Sequence, residues 1–227
     1  MAVSVAIPSR TALILAQISA LPADERRIFN GVTWAEYQEL LDELGEQRNV
    51  LVSFSKGALE IMSLSRRHER YKESISMLMY VLSEELNINI EPNGSTTLQL
   101  ESIQVAVEPD TSFFIGNASL MAGKETLDLL VDPPPDLVVE IDVSRPRYSK
   151  KEIYVRISVP ELWQYDGQTF KIFALGSGQY VETDHSLIFP FIRADGLAAL
   201  LEQNKTENNL SRLRNFREWV RANKPTE

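Results

Sequence analysis

Two acids stand in apolar surroundings about thirty residues apart: Asp110 in "VEPDTSFFI" and Glu140 in "DPPPDLVVEIDVSRPR". Ionised carboxylates are expensive beside Leu137, Val138, Val139 and Ile141 unless something compensates them. Alternate residues of an extended chain share a side, so Leu137, Val139, Ile141 and Val143 form one apolar face. Asp136, Val138, Glu140 and Asp142 form the other. Two readings are open. An edge strand with one wet face carries such acids easily. Alternatively, acids from neighbouring strands make a seat for a hard divalent ion, because magnesium takes one or two carboxylates and completes its shell with water or phosphate oxygens. Lys150 lies four residues before Tyr154 and shares its helix face. It is either a plain surface lysine or the cation that stabilises an attacking water and a developing phosphorane charge.

The elements that would hold these residues are legible in outline. Thr33 with Glu36 makes a capping box ahead of "WAEYQELLDELG", which predicts a helix stopped at Gly45. "NVLVSFS" and "ALEIMS" around Lys56-Gly57 predict a hairpin. Tyr71, Ile75, Leu78, Met79, Leu82 and Leu86 fall at helical spacing. "INIEPNGSTTLQL" turns at Asn93-Gly94, and "VAVEPDTSFFIG" is a strand interrupted by Pro109. A polar loop precedes the Glu140 strand, and "YSKKEIYVRISV" follows it as a short helix with Ile153, Tyr154 and Ile157 on one side. "PELWQYDGQTFKIFALGSGQYVETD" reads as a strand meander in which Trp163 and Tyr165 are core, one face of it packing on the helix that bears Tyr154. Two helices close the chain, from Asp195 and from Asn209. The basic face of the last one is either solvated or a contact for phosphate or a partner. The order of elements predicts a mixed α/β or α+β single domain.

The chain has 227 residues, 44% hydrophobic and 24% charged, as in ordinary globular proteins. With no cysteine, disulfides and thiolate metal sites are excluded, which suits a reducing cytoplasm. The apolar run 11–21 is short and follows a single basic residue, unlike an export leader, and no run approaches the ~20 residues that span a bilayer. A cytoplasmic protein with no membrane association is expected. A formal net charge of −9 opposes nucleic-acid binding through general phosphate neutralisation. Such binding would need a local basic patch or bridging metal ions.

Taken together, "EPDTSFFI", "GKETLDLLVDPPPDLVVEIDVS" and "VPELWQYDG", with "LEIMSLSRRHE" and "NGSTTLQL" upstream, resemble a large bacterial family of restriction-endonuclease-like proteins in the PD-(D/E)XK nuclease superfamily. The likeness runs over residues 33–191. It implies a restriction-endonuclease-like domain at 31–195, a mixed β-sheet flanked by helices, with an N-terminal arm or helix at 1–30 and a C-terminal helical extension at 196–227. It also implies a metal-dependent endonuclease acting on DNA with Mg²⁺ or Mn²⁺, no small-molecule cofactor, and a homodimer.

Carried over by motif, Asp110 is the Pro-Asp acid, Glu140 the second-strand acid and Glu69 the helix acid, all three as metal ligands. Lys150 is the catalytic lysine. The usual lysine two residues after the glutamate is replaced by Asp142, and Lys150 corresponds to its displaced equivalent on the following helix. Glu69 is otherwise a first-turn acid that suits the helix dipole. His68 beside it either assists or is a surface histidine. Arg66, Arg67, Arg70 and Lys72 are either the required basic patch or a solvated first turn. The alternative function is a nuclease-fold module without cleavage, dimerising or binding DNA or protein through "PELWQYDG" and the C-terminal helix.

Overall fold

The computed structural model describes residues 9–45, 49–143 and 150–225. The first eight residues of the expected N-terminal arm, Tyr148 and Ser149 at the head of the expected short helix, and the last two residues of the extension lie outside them. The chain opens with helix α1 (Arg10–Ser19), strand β1 (Arg26–Asn30), helix α2 (Trp34–Leu44), strands β2 (Val50–Ser55) and β3 (Ala58–Ser63), and the long helix α3 (Arg66–Leu86). Short strands β4 (Glu91–Pro92), β5 (Leu98–Leu100), β6 (Val105–Val107) and β7 (Thr111–Phe114) come next, then α4 (Ala118–Met121) and β8 (Leu137–Ile141). Helix α5 (Lys151–Arg156), strands β9 (Glu161–Tyr165), β10 (Phe170–Gly176) and β11 (Gln179–Thr183), and helices α6 (Ala194–Gln203) and α7 (Asn209–Asn223) complete it.

Local chemistry sets these boundaries. The Thr33 hydroxyl accepts from Glu36 N at 3.2 Å while Glu36 Oε2 accepts from Thr33 N at 2.7 Å, so the reciprocal cap of α2 forms as its sequence dictates. Lys56 and Gly57 both adopt positive φ, which the two-residue turn between β2 and β3 requires. Helix α3 starts at Ser65, whose hydroxyl accepts from His68 N at 3.1 Å, and ends at Asn87 in the left-handed region.

The architecture is α+β, but the strands divide into two sheets instead of one. The first, in order β1-β3-β2-β6-β5, is antiparallel throughout. The second, in order β11-β10-β9-β8-β7-β4, is mixed, with β8 and β9 parallel and α5 in the crossover between them. The physical reason for the split lies at Glu108-Pro109-Asp110. Proline has no N–H to give a ladder, so the run expected as one interrupted strand leaves the first sheet after Val107 and enters the second at Thr111. Asp110 sits on that pivot.

Helix α3 covers one face of the second sheet, where Ile75, Leu78, Met79 and Leu82 pack with Leu137, Val139, Ile141, Trp163 and Tyr165. The opposite face packs Val138 and Leu162 with Ile153, Tyr154 and Ile157. The alternation expected for β8 therefore holds. In β9, however, only the Leu162 side meets the Tyr154 helix, while Trp163 and Tyr165 point to α3. Tyr165 stands edge-on to Tyr71 at 5.1 Å.

Helices α1 and α2 cover the first sheet, with Ile14, Tyr37 and Leu40 against Val52, Phe54, Leu59 and Ile61. Residues 26–30, expected within an arm or helix, are the strand β1 paired to β3. The expected C-terminal extension is no appendage: Leu197, Leu200, Leu201, Phe216 and Val220 belong to the α3 core. Two arginines of α7 meet acids at the end of α3, Arg217 with Glu84 at 2.6 Å and Arg221 with Glu85 at 2.8 Å. Among the described residues, no helix is long and apolar enough to cross a membrane.

Because Phe216 is fully buried, Phe216→Ala should destabilise the whole domain by about 3–5 kcal/mol. Urea denaturation should show one transition at a lower midpoint with its slope unchanged. A loss below about 1 kcal/mol would mean that α7 is only loosely attached.

Candidate active site

Strand β8 lies inside its sheet between β7 and β9, and Glu140 is 2% exposed. The wet-edge reading of the acid face is therefore overturned. The register Thr111↔Val139 carries the chain one step further to bring Asp110 level with Glu140. Asp110 is 1% exposed, and its Oδ2 accepts from the Ile141 amide, so its side chain reaches across to β8. Its Oδ1 lies 3.0 Å from His68 Nε2, a contact between two fully buried side chains.

Lys150 is not a surface lysine. It is buried, immediately before α5, and its Nζ donates to Glu140 Oε2 at 2.9 Å and Oε1 at 3.1 Å. A third bond, at 3.2 Å, goes to the carbonyl of Glu108 next to the pivot. The Tyr154 hydroxyl also donates to Glu140. The four-residue spacing thus brings Lys150 and Tyr154 to one carboxylate. Burial pushes the Glu140 carboxyl up to about 7; Lys150 pulls the other way, and Asp110 and Asp142 add to the push. Burial opposes the charged form of Lys150, but Glu140 and Asp110 outweigh it and hold the ammonium above its ordinary value.

His68 corrects the surface-histidine reading. It is fully buried in the first turn of α3, between Asp110 on one side and Glu69 on the other, whose Oε1 is 3.4 Å from Nδ1. Burial pulls the imidazole down, yet the two carboxylates prevail and raise it to about 9. Glu69 thus stands across the ring from Asp110, partly exposed, and also meets Lys72 at 3.4 Å. The structure brings Asp110, Glu140 and Lys150 together; it does not bring Glu69 to them.

Asp142, the acid in the place of the usual lysine, is held by a residue that the sequence reading passed over. Arg26 Nη2 meets Asp142 Oδ1 at 2.7 Å and its Nη1 meets Glu60 Oε1 at 3.0 Å, with the guanidinium side chain 3% exposed. A signal was available: Glu60, like Glu140, is an acid inside a strand otherwise apolar, "ALEIM". Asp136, on the same face of the extended chain, plays another part. Its carboxylate accepts from the Ile115 and Asn117 amides at 2.7 and 3.1 Å and braces the loop after β7.

Other buried acids show what a purely structural carboxylate looks like here. Glu161 accepts from the Trp163 indole, the Ser186 hydroxyl and the Leu187 amide, each between 2.6 and 2.7 Å, so both oxygens are satisfied by neutral donors. Asp110 and Glu60 are instead met by cationic side chains, His68 at 3.0 Å and Arg26 at 3.0 Å. Among the described residues, no group of three or more His, Cys, Asp or Glu side chains is arranged to hold a metal ion. Asp110 and Glu140 nevertheless match the one or two carboxylates that Mg²⁺ accepts when waters and phosphate oxygens fill its remaining positions.

The folded value of His68 lies above the ordinary 6.5, so stabilisation from its protonated ring is complete below about pH 6.5 and is lost as pH rises through about 9. The gap in unfolding free energy between wild type and His68→Asn should therefore shrink by on the order of 3 kcal/mol between pH 6 and pH 10. A gap independent of pH would mean that the ring is neutral when folded.

Residues 34–198 match the family model Uma2, described as "Putative restriction endonuclease". No curated protein matches the chain. Among solved structures, the chain is similar to a putative nuclease belonging to DUF820 from Anabaena variabilis ATCC 29413, at 15% identity and a TM-score of 0.43, over 83% of this chain and 99% of that one. The family match spans well over half of the chain and takes in Glu60, His68, Asp110, Glu140 and Lys150; the chain belongs to the Uma2 family of putative restriction endonucleases.

Proposed function

We propose that this protein is a metal-dependent endonuclease that hydrolyses phosphodiester bonds of DNA. The observation that carries the reading is the meeting of Asp110, Glu140 and Lys150 at the pivot between the sheets. Asp110 and Glu140 would hold Mg²⁺ or Mn²⁺, which when bound supplies charge to polarise water and offset the phosphate.

The chain's own residues supply the rest. Lys150, fixed by Glu140 and the Glu108 carbonyl, orients the attacking water and stabilises negative charge that develops on the phosphoryl oxygens. Tyr154 fixes the orientation of Glu140. His68 keeps a proton beside Asp110, and Glu69 acts from the outer side of the ring, where it also reaches the open cleft. Arg26 neutralises Asp142, which replaces the usual lysine.

One observation favours the second reading, a nuclease-fold module that does not cut: both oxygens of Glu140 are already taken by Lys150 and Tyr154. That module would not dimerise through "PELWQYDG", because Leu162, Trp163 and Tyr165 are fully buried in an interior strand.

Supercoiled plasmid should be nicked with Mg²⁺ or Mn²⁺ and left intact in EDTA. Asp110→Asn and Glu140→Gln should each lower the rate at least about 100-fold, and Lys150→Met by a similar factor; because each change breaks a buried pair and lowers the melting temperature, rates are compared where circular dichroism shows every variant folded. Cleavage at the wild-type rate in the carboxylate variants would remove the site assigned here. Ligation requires an ionised Glu140, whose carboxyl is held up at about 7, so calorimetric Mn²⁺ affinity should rise between pH 6 and pH 8. If Mn²⁺ does not bind at any pH, the module reading stands.

A further inference from the structure

Across the buried ring of His68 from the candidate centre lies an open cleft of about 850 Å³ whose walls come from the first turns of α3 and from the region where α6 passes to α7. Five cations, Arg66, Arg67, Arg70, Lys205 and Arg212, line it against two acids, Glu73 and Glu69, and Glu69 links it to the centre through His68 and Asp110. The cleft is therefore basic on a protein whose formal net charge is −9.

Arg212 is the unusual member. It is 7% exposed, and its guanidinium meets only neutral oxygens: Nη1 donates to Ser74 Oγ at 2.7 Å and Nη2 to Asn209 Oδ1. Its Nε is buried with no partner. No described carboxylate lies within ion-pair distance of Arg212 or of Arg66, whereas Arg217 and Arg221 of the same last helix each have a glutamate. A buried cation without an anion is a costly arrangement. The dipole of α3 adds to the cost, because Arg66, Arg67 and Arg70 stand at its positive end. An anion entering the cleft would relieve both, and guanidinium groups hold phosphate oxygens through paired N–H donors.

We propose that this cleft is a phosphate subsite that seats the sugar–phosphate backbone of a DNA strand beside the Asp110–Glu140 centre, with Arg212 as its buried anchor. The identity of the strand as substrate rests on the endonuclease reading; the anion site does not. Arg66, Arg67 and Arg70 reach the strand from the solvent side, while Arg212 meets it from the floor.

The test is binding of a fluorescent 16-mer, single-stranded and duplex, to the full chain in EDTA, where no strand is cut. A failure of the nicking assay therefore leaves this measurement intact. The double variant Arg66→Ala/Arg70→Ala changes only exposed side chains; it should weaken binding about 10-fold or more and make the slope of log affinity against log salt shallower by about 2. Arg212→Lys keeps the charge but loses the paired donors, and should weaken binding about 10-fold at unchanged melting temperature. Arg214→Ala, an exposed cation of α7 outside the cleft, should bind as wild type. Binding within twofold of wild type in both cleft variants would overturn the proposal, as would an equal loss in Arg214→Ala, which would reveal only diffuse charge. Strands with and without a 5′-phosphate should bind alike. Binding that requires the terminal phosphate, or that inorganic phosphate abolishes at low millimolar concentration, would overturn the backbone assignment.

Discussion

The constraint on which the structure turns is the burial of negative charge where the two sheets meet. Glu60, Asp110 and Glu140 are each no more than 2% exposed, and Asp142 stands next to them. Uncompensated, such a group would be severely destabilising. Compensation comes from Arg26, His68 and Lys150, carried on β1, α3 and the residue before α5, and from the Tyr154 hydroxyl. Much of the topology follows from this need. Strand β1 must dock on β3 to deliver Arg26, and α5 must sit in the β8–β9 crossover to deliver Lys150 and Tyr154.

The long helix α3 carries charges at both ends that its own dipole disfavours. At the negative end are Glu84 and Glu85, which α7 answers with Arg217, Arg221 and Lys224. The same helix therefore ties the C-terminal part of the chain to the core and presents His68 at its other end to the acid cluster. Packing and electrostatics act here through one element: the apolar side of α3 fixes its position on the second sheet, and that position sets the distance between His68 and Asp110.

Parts of this arrangement were open to inspection in the sequence. Asp110 and Glu140 stood out because strand alternation made their polarity anomalous, and the i, i+4 spacing put Lys150 with Tyr154 on one helix face. Helix caps and turn residues carried their own local signals, so Thr33-x-x-Glu36 and Lys56-Gly57 formed as read. Other features depended on what lies opposite a residue in space. His68 reads as a first-turn surface residue until the Asp110 pivot is set against it. Arg26 reads as part of a polar segment until β1 joins β3. The division into two sheets hinges on Pro109, and a proline in a strand signals a break without saying that the chain changes sheets. Arg212 was indistinguishable from the other arginines of α7 because only the partner of each separates them.

The salt bridge of Arg26 to Asp142 spans 116 residues of sequence. During synthesis the guanidinium of Arg26 emerges first, then Glu60, the imidazole of His68, the acids Asp110, Glu140 and Asp142, and the ammonium of Lys150 after them. No chain that ends before Lys150 holds the whole constellation, and neither sheet alone can assemble it. The charge cluster is thus withheld from the nascent polypeptide until strands of both sheets have closed on each other, so that its assembly reports the docking of one sheet against the other.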